Sequence, residues 1–269
     1  MLKPQANVSC CEEKKYFRIL IMKILQISDT HIYDDPSKKL GGVCTRDSLI
    51  AVLNTAKEKH QFDLIFVTGD LSMDGSVGSY KWLKKQLDDL KKPYRVLPGN
   101  HDNLINLQST FNLRKEPYPD LVQCQYWKLL LLNTLKDGAV YGSLRDYQLR
   151  LLAGYLEAGK THKTAIFMHH PAVKVGSDWL DKINLKEGRN DFIELTIDYR
   201  VELVVAGHVH QESKSILNET CFLTTPSTCA QFKPLSYDFA LDDSFPAFRL
   251  FDFTKKDSFY SSVIRVNSS

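Results

Sequence analysis

From residue 22 onward, short apolar runs alternate with longer stretches whose apolar residues recur at helical spacing. The runs Lys23–Ser28, Leu64–Thr68 and Tyr94–Leu97 are short and rich in Ile, Leu and Val, which predicts buried strands. Between them, Thr45–His60 and Gly78–Lys92 read as amphipathic helices. In the first, Leu49, Val52, Leu53 and Ala56 share a face at i, i+3, i+4 and i+7, Arg46, Lys57 and Glu58 point outward, and Thr45 is the expected N-cap. Further strands are expected at Leu129–Asn133, Thr164–Met168, Leu203–Ala206, Cys221–Thr225, Phe248–Phe253 and Ser261–Val266. The alternation predicts an α/β sheet without internal repeat or linker. Met1 to Phe17 lack periodicity, so residues 1–21 are set apart as an N-terminal extension or a misassigned start with no assigned role, and 22–269 as a single domain.

Composition narrows the function classes. A chain of 269 residues, 43% hydrophobic and 25% charged, can bury one sizeable core. Its net charge of +3, from 35 basic and 32 acidic residues, offers no basic surplus for nucleic acid or an anionic membrane, so a small-molecule partner is the better expectation. The apolar run Ile19–Met22 is interrupted by Lys23 and falls far short of the ~20 residues that span a bilayer. Glu12, Glu13, Lys14 and Lys15 stand where a secretory signal would need its basic and apolar regions, and the expected location is cytoplasmic. Cys10, Cys11, Cys44, Cys124, Cys221 and Cys229 show no C-x-x-C spacing and are expected to be free thiols without a metal role. The sequons at Asn7, Asn218 and Asn267 are read as chance matches. Oligomeric state is left open.

Chemistry concentrates where strands end. Asp29-Thr30-His31, Gly69-Asp70, Gly99-Asn100-His101-Asp102, His169-His170-Pro171 and Gly207-His208-Val209-His210 each follow an expected strand, the place where α/β sheets bind ligands. Any one block alone is more often a turn or a cap than a ligand. Five in series point to a metal centre. Imidazoles and carboxylates without thiolates suit Fe, Mn, Zn or Co and argue against a structural zinc site. His208 and His210, two apart, would share a face of a strand, while the adjacent His169 and His170 point different ways, so one of them is expected to bind. His60 and His162 sit among polar residues and are read as surface histidines.

In order and spacing these blocks resemble the calcineurin-like metallophosphoesterases from about Met22 onward. That resemblance implies a four-layer α/β/β/α sandwich with two mixed sheets and a metal site at the strand ends. It implies one ion on Asp29, His31, Asp70 and His210 and another on Asp70, Asn100, His169 and His208, with Asp70 bridging. A carboxylate can bridge cations ~3.5 to 4 Å apart because it has two oxygens and a full charge, whereas Asn100 offers a neutral carbonyl. The family's H-x-P pattern selects His169 and leaves His170 behind the ligands. Fe and Mn lead as the ions, with Zn and Co also compatible. His31, Asp70, Asn100, His101 and His210 are the implied substrate contacts.

The segments Gly42–Leu49, Ser177–Asp181, Gly207–Glu212 and Thr225–Phe232 are similar to bacterial class III cyclic AMP phosphodiesterases. Hydrolysis of 3′,5′-cyclic AMP to 5′-AMP by a hydroxide held between two ions is the activity that likeness implies. A G-x-S-x-G elbow and a P-loop are both absent from the sequence, which removes support for a serine route or a triphosphate cradle. His101, beside Asn100, is free to face the substrate as a catalytic acid, and Asp102 is expected to fix its tautomer. The alternatives are another calcineurin-like phosphodiesterase or nucleotide phosphatase, a nuclease, and a non-catalytic scaffold. A nuclease calls for a basic groove, and a scaffold should have lost ligands. Ser244–Arg249 departs from the Pro-Gly-aromatic turn of such enzymes, which points to a changed turn ahead of the strand at Phe248.

Overall fold

A computed structural model describes residues 22–113, 118–158 and 161–267, so the extension assigned to residues 1–21, with Cys10, Cys11 and Asn7, lies outside the described residues. Three strands open the chain in parallel: β1 (Lys23–Ile27), β2 (Leu64–Thr68) and β3 (Tyr94–Leu97). The helices α1 (Thr45–Lys59) and α2 (Val77–Asp89) connect them, and α3 (Leu104–Phe111) follows. Six strands then build a second sheet: β4 (Asp120–Gln123), β5 (Trp127–Leu131), β6 (Lys163–Phe167), β7 (Leu203–Ala206), β8 (Ser213–Leu217) and β9 (Thr220–Thr224). Its order is β8-β9-β7-β6-β5-β4, parallel in the middle and antiparallel at both edges. Here α4 (Asp146–Glu157), the one-turn α5 (Asp178–Asp181) and α6 (Arg189–Asp198) lie between strands. Finally β10 (Ala247–Asp252) and β11 (Tyr260–Arg265) return to the first sheet and complete the order β11-β10-β1-β2-β3. Both sheets are therefore mixed.

The period-2 alternation of each strand explains the layering. Leu25, Ile27, Ile65 and Val67 face Leu49, Val52, Leu53 and Ala56 of α1 and Leu83 and Leu87 of α2 in one buried cluster. Their neighbours Ile24, Leu64 and Phe66 point the other way and meet Leu129, Leu131, Ala165, Phe167, Leu203 and Val205 of the second sheet. On the far side, Leu130, Ile166 and Val204 pack on Leu149, Leu152 and Leu156 of α4 and Phe192 of α6. Strands apolar on both faces read as continuous hydrophobic runs, and the result is the expected four-layer α/β/β/α sandwich. A polar tie crosses between the sheets. Gln26 donates to the Thr68 hydroxyl at 2.8 Å and accepts from Thr225 at 2.7 Å, and buried Arg249 donates to the same Thr225 hydroxyl at 3.2 Å.

Element boundaries shift by one or two residues from expectation, and Thr45 is the first helical residue rather than the cap, a position Cys44 holds in extended backbone. The strands β4 and β8 and the helices α3 to α6 were not among the expected elements. β8, of sequence SKSIL, is a largely exposed edge strand held by backbone pairing, as Lys214 is with Leu223, and by a bond between the Ser213 and Thr224 hydroxyls at 2.8 Å. The segment before β10 is tied down, with Ala247 donating to the Ser227 carbonyl at 3.0 Å and Val266 donating to the Pro246 carbonyl at 2.8 Å. His60 and His162 are half-buried rather than on the surface; His60 meets the Phe248 ring edge-on, and His162 bonds Gln123. Among the described residues, no helix is long and apolar enough to cross a membrane.

Candidate metal centre

Every metal-ligand candidate lies just beyond a strand: Asp29 and His31 after β1, Asp70 after β2, Asn100 after β3, His169 after β6, and His208 and His210 after β7. Parallel pairing continues past the strands and holds the first two loops together, since Asp29 donates to the Gly69 carbonyl at 3.0 Å and His31 to the Asp70 carbonyl at 2.9 Å. The other sheet joins through His208, whose backbone N–H donates to the Asp29 carboxylate at 3.0 Å, and through His169, whose ring Nδ1 lies 3.0 Å from the Thr68 carbonyl. Each sheet thus supplies part of the donor set.

Five of these residues sit in left-handed backbone: Asp29 at φ 54°, His31 at 44°, Asp70 at 50°, His208 at 69° and His210 at 46°. That conformation costs of order 1 kcal/mol per non-glycine residue, and a cluster of it is the mark of a functional site. It also corrects the strand geometry expected of His208 and His210. They occupy a turn, and they face different groups: His210 stands with Asp29 and His31, His208 with His169 and His170, their donor atoms lying within 4.8 Å of one another in each group. Asp70 belongs to two further groups, with Asp29 and His169 and with His31 and His101.

The rings are aimed by their outer nitrogens. His169 Nδ1 bonds the Thr68 carbonyl at 3.0 Å and His210 Nδ1 the Ala230 carbonyl at 2.7 Å, which makes Nδ1 the protonated atom and leaves Nε2 bare for a ligand. Buried in the same place without hydrogen-bond partners are His169 Nε2, His170 Nε2, His208 Nε2 and Asn100 Oδ1. Buried polar atoms are nearly always paired, so four orphans converging on two buried carboxylates fit a set of cations. Burial pushes the pKa values of His31 and His208 down to about 3, leaving them neutral and able to donate lone pairs. For Asp70, burial favours the neutral acid, but the adjacent His169 outweighs it and holds the group well below the usual carboxylate range. Asp70 Oδ2 lies 3.3 Å from His169 Nε2 and 3.7 Å from His31 Nε2, between the two halves of the cluster.

Two residues differ from expectation. Asp102 does not hold His101. Its carboxylate is saturated by the backbone N–H groups of Leu71 at 3.1 Å, Ser72 at 3.0 Å and Gly99 at 2.8 Å and by the Tyr80 hydroxyl at 2.9 Å, so it shapes the loops that carry Asp70 and Asn100. The neighbouring His101 is exposed, with its backbone N–H donating to Asp70 Oδ1 at 2.9 Å and its ring 5.0 Å from that of His31. His170 stands at ligand distance from His169 and His208 instead of behind them, its Nδ1 held 2.8 Å from the Thr134 hydroxyl. Adjacency in sequence hid this, because neighbouring side chains are expected to diverge, whereas both rings meet that of His208, at 5.2 Å and 4.6 Å. The carbonyls of Thr68 and Ala230 were equally invisible, since backbone partners leave no residue signature.

With that geometry in hand, comparison with known proteins places the chain. Residues 22–212 match the family model "Calcineurin-like phosphoesterase", and the chain belongs to that family, whose members work with divalent metal ions. It is 37% identical to a 3′,5′-cyclic adenosine monophosphate phosphodiesterase, CpdA, of Vibrio vulnificus, over 85% of this chain and 84% of that one. A 3′,5′-cyclic-nucleotide phosphodiesterase of Nostoc sp. is 34% identical over 92% of this chain and 93% of its own. Among solved structures, a purple acid phosphatase of yellow lupin superposes with a TM-score of 0.67 at 15% identity, covering 91% of this chain and 51% of the other, a likeness of fold alone.

Proposed function

We propose that the chain is a dinuclear metal-dependent phosphodiesterase that hydrolyses 3′,5′-cyclic AMP to 5′-AMP. The observation that carries the reading is the donor set itself, with orphaned imidazoles and an orphaned amide oxygen gathered around Asp29 and Asp70 at the ends of two sheets. Relatives that match over most of their length, one named for 3′,5′-cyclic adenosine monophosphate and one for 3′,5′-cyclic nucleotides, support it. Asp29, His31, Asp70 and His210 would hold one cation and Asp70, Asn100, His169 and His208 the other, with Fe or Mn favoured by the mixed N/O donors and Zn or Co also compatible. Bound there, two cations neutralise phosphoryl oxygens and lower the pKa of water.

The chain's own residues supply the rest. The Thr68 and Ala230 carbonyls lock two imidazoles in the ligating tautomer, so no reorientation is needed on binding. Asn100 is neutral, which leaves the site electron-poor enough to hold an anionic diester. His31, Asp70, Asn100, His101 and His210 all line one cleft of about 240 Å³, and the diester would seat against them. His101, on its exposed rim, would give a proton to the leaving 3′-oxygen. A substrate panel on protein reconstituted with Mn or Fe tests the reading: 5′-AMP should be the product from 3′,5′-cyclic AMP, and turnover confined to phosphomonoesters or to nucleic acid would overturn it.

A further inference from the structure

The cleft that holds the donor set has a second, apolar end. There Trp179, Phe232 and Phe239 meet edge-to-face, with centroids 5.1 Å apart for Trp179–Phe232, 5.3 Å for Trp179–Phe239 and 5.5 Å for Phe232–Phe239. Phe232 also lies flat on His210, 4.2 Å away and tilted by only 13°, so the aromatic cluster is continuous with a candidate metal ligand. Phe239 leaves 62% of its surface exposed, and beside it in the cleft Val140 and Leu241 leave 54% and 45%. Apolar side chains exposed together at the mouth of a polar site mark a contact surface. Outside the donor set and its neighbour His101, the lining carries no charged side chain among the described residues.

We propose that Trp179, Phe232 and Phe239 form the seat of the substrate's nucleobase, with Phe239 and Trp179 supplying the aromatic faces on which the ring stacks. This rests on the reading of the chain as a cyclic nucleotide phosphodiesterase and says which residues grip the part of the substrate that the cations cannot reach. A flat, neutral aromatic group is what such a surface recognises. The phosphate at the metal end fixes where the base must fall, so the two ends of one cleft divide the ligand between them.

The test uses the metal-loaded enzyme and two substrates, 3′,5′-cyclic AMP and the 3′,5′-cyclic phosphate of methyl riboside, which lacks a base. Base–aromatic stacking predicts that Phe239→Leu raises KM for cyclic AMP about tenfold more than for the base-free substrate. Phe239 is largely exposed, so this variant keeps the fold. Trp179→Leu should show the same split, and Trp179→Phe, which keeps an aromatic face, a smaller one. Equal changes in KM for the two substrates, or none in either, would overturn the aromatic seat. Wild-type enzyme that cleaves the base-free substrate but not cyclic AMP would instead overturn both the seat and the function on which it rests.

Discussion

At the scale of single residues, Asp70 and Asn100 separate sharply although both follow strands of one sheet. Asp70 faces donor atoms on both sides of the cluster, whereas Asn100 offers one orphaned oxygen. Asp70→Ala should therefore cost both ions and all activity, and Asn100→Ala chiefly one ion; elemental analysis after saturation with Mn reads the difference, and equal losses contradict the bridge. His101 makes a different prediction, because a sugar alkoxide needs a proton and a nitrophenolate does not. His101→Ala should slow cyclic AMP hydrolysis ~10² to 10⁴-fold more than hydrolysis of bis(p-nitrophenyl) phosphate, with metal content retained. Equal slowing would make the ring an electrostatic clamp instead. For Asp102 the expected loss is one of stability. Removing an acceptor saturated by four buried donors leaves them unpaired, at about 1 to 3 kcal/mol each before relaxation. Urea unfolding of Asp102→Ala should fall by about 3 kcal/mol or more, and an inactive variant of unchanged stability would restore a direct catalytic role.

At the scale of elements, what was legible in the sequence followed from periodicity. β1 to β3, α1 and the core strands of the second sheet could be placed because burial on one or both faces writes itself into runs of Ile, Leu and Val. The four-residue β4, the edge strand β8 and the short helices α3 and α5 are shaped by tertiary contacts and loop chemistry, which single-chain periodicity does not carry. Legibility at the site splits the same way. The residue types Asp29, His31, Asp70, Asn100, His169, His208 and His210 could be named from their blocks, but the left-handed turns that aim them, the place of His170 and the employment of Asp102 could not. Gly69 shows how tightly these turns are drawn. It holds φ 93°, and a Cβ there would collide with the His169 ring. Gly69→Ala should displace that ring and lower the bound metal while circular dichroism keeps its native shape. Gly138→Ala, also at positive φ but with open space around it, should cost only the backbone strain of ~1 kcal/mol and leave metal content intact.

At the scale of the whole molecule, the donor set spans both sheets. Asp29, His31, Asp70 and Asn100 come from loops of the first and His169, His208 and His210 from loops of the second. Any ligand that binds only the folded arrangement stabilises it by mass action, about 2.7 kcal/mol at a hundredfold excess over Kd. For a chain of this size that corresponds to a rise in melting temperature of about 5 to 10 °C on adding Mn, reversed by a chelator. An unchanged midpoint would mean that the cluster does not close on metal. Beneath the site, the tie of Gln26, Thr68, Thr225 and Arg249 joins the same two layers through hydrogen bonds alone. In hydrogen exchange, then, the amides after β1, β2, β6 and β7 should open at separate rates in the apoprotein and at one common, slower rate once loaded. The centre would act as a rivet through the sandwich as well as a reagent, and a cell short of transition metal would be left with a looser molecule, not merely an idle one.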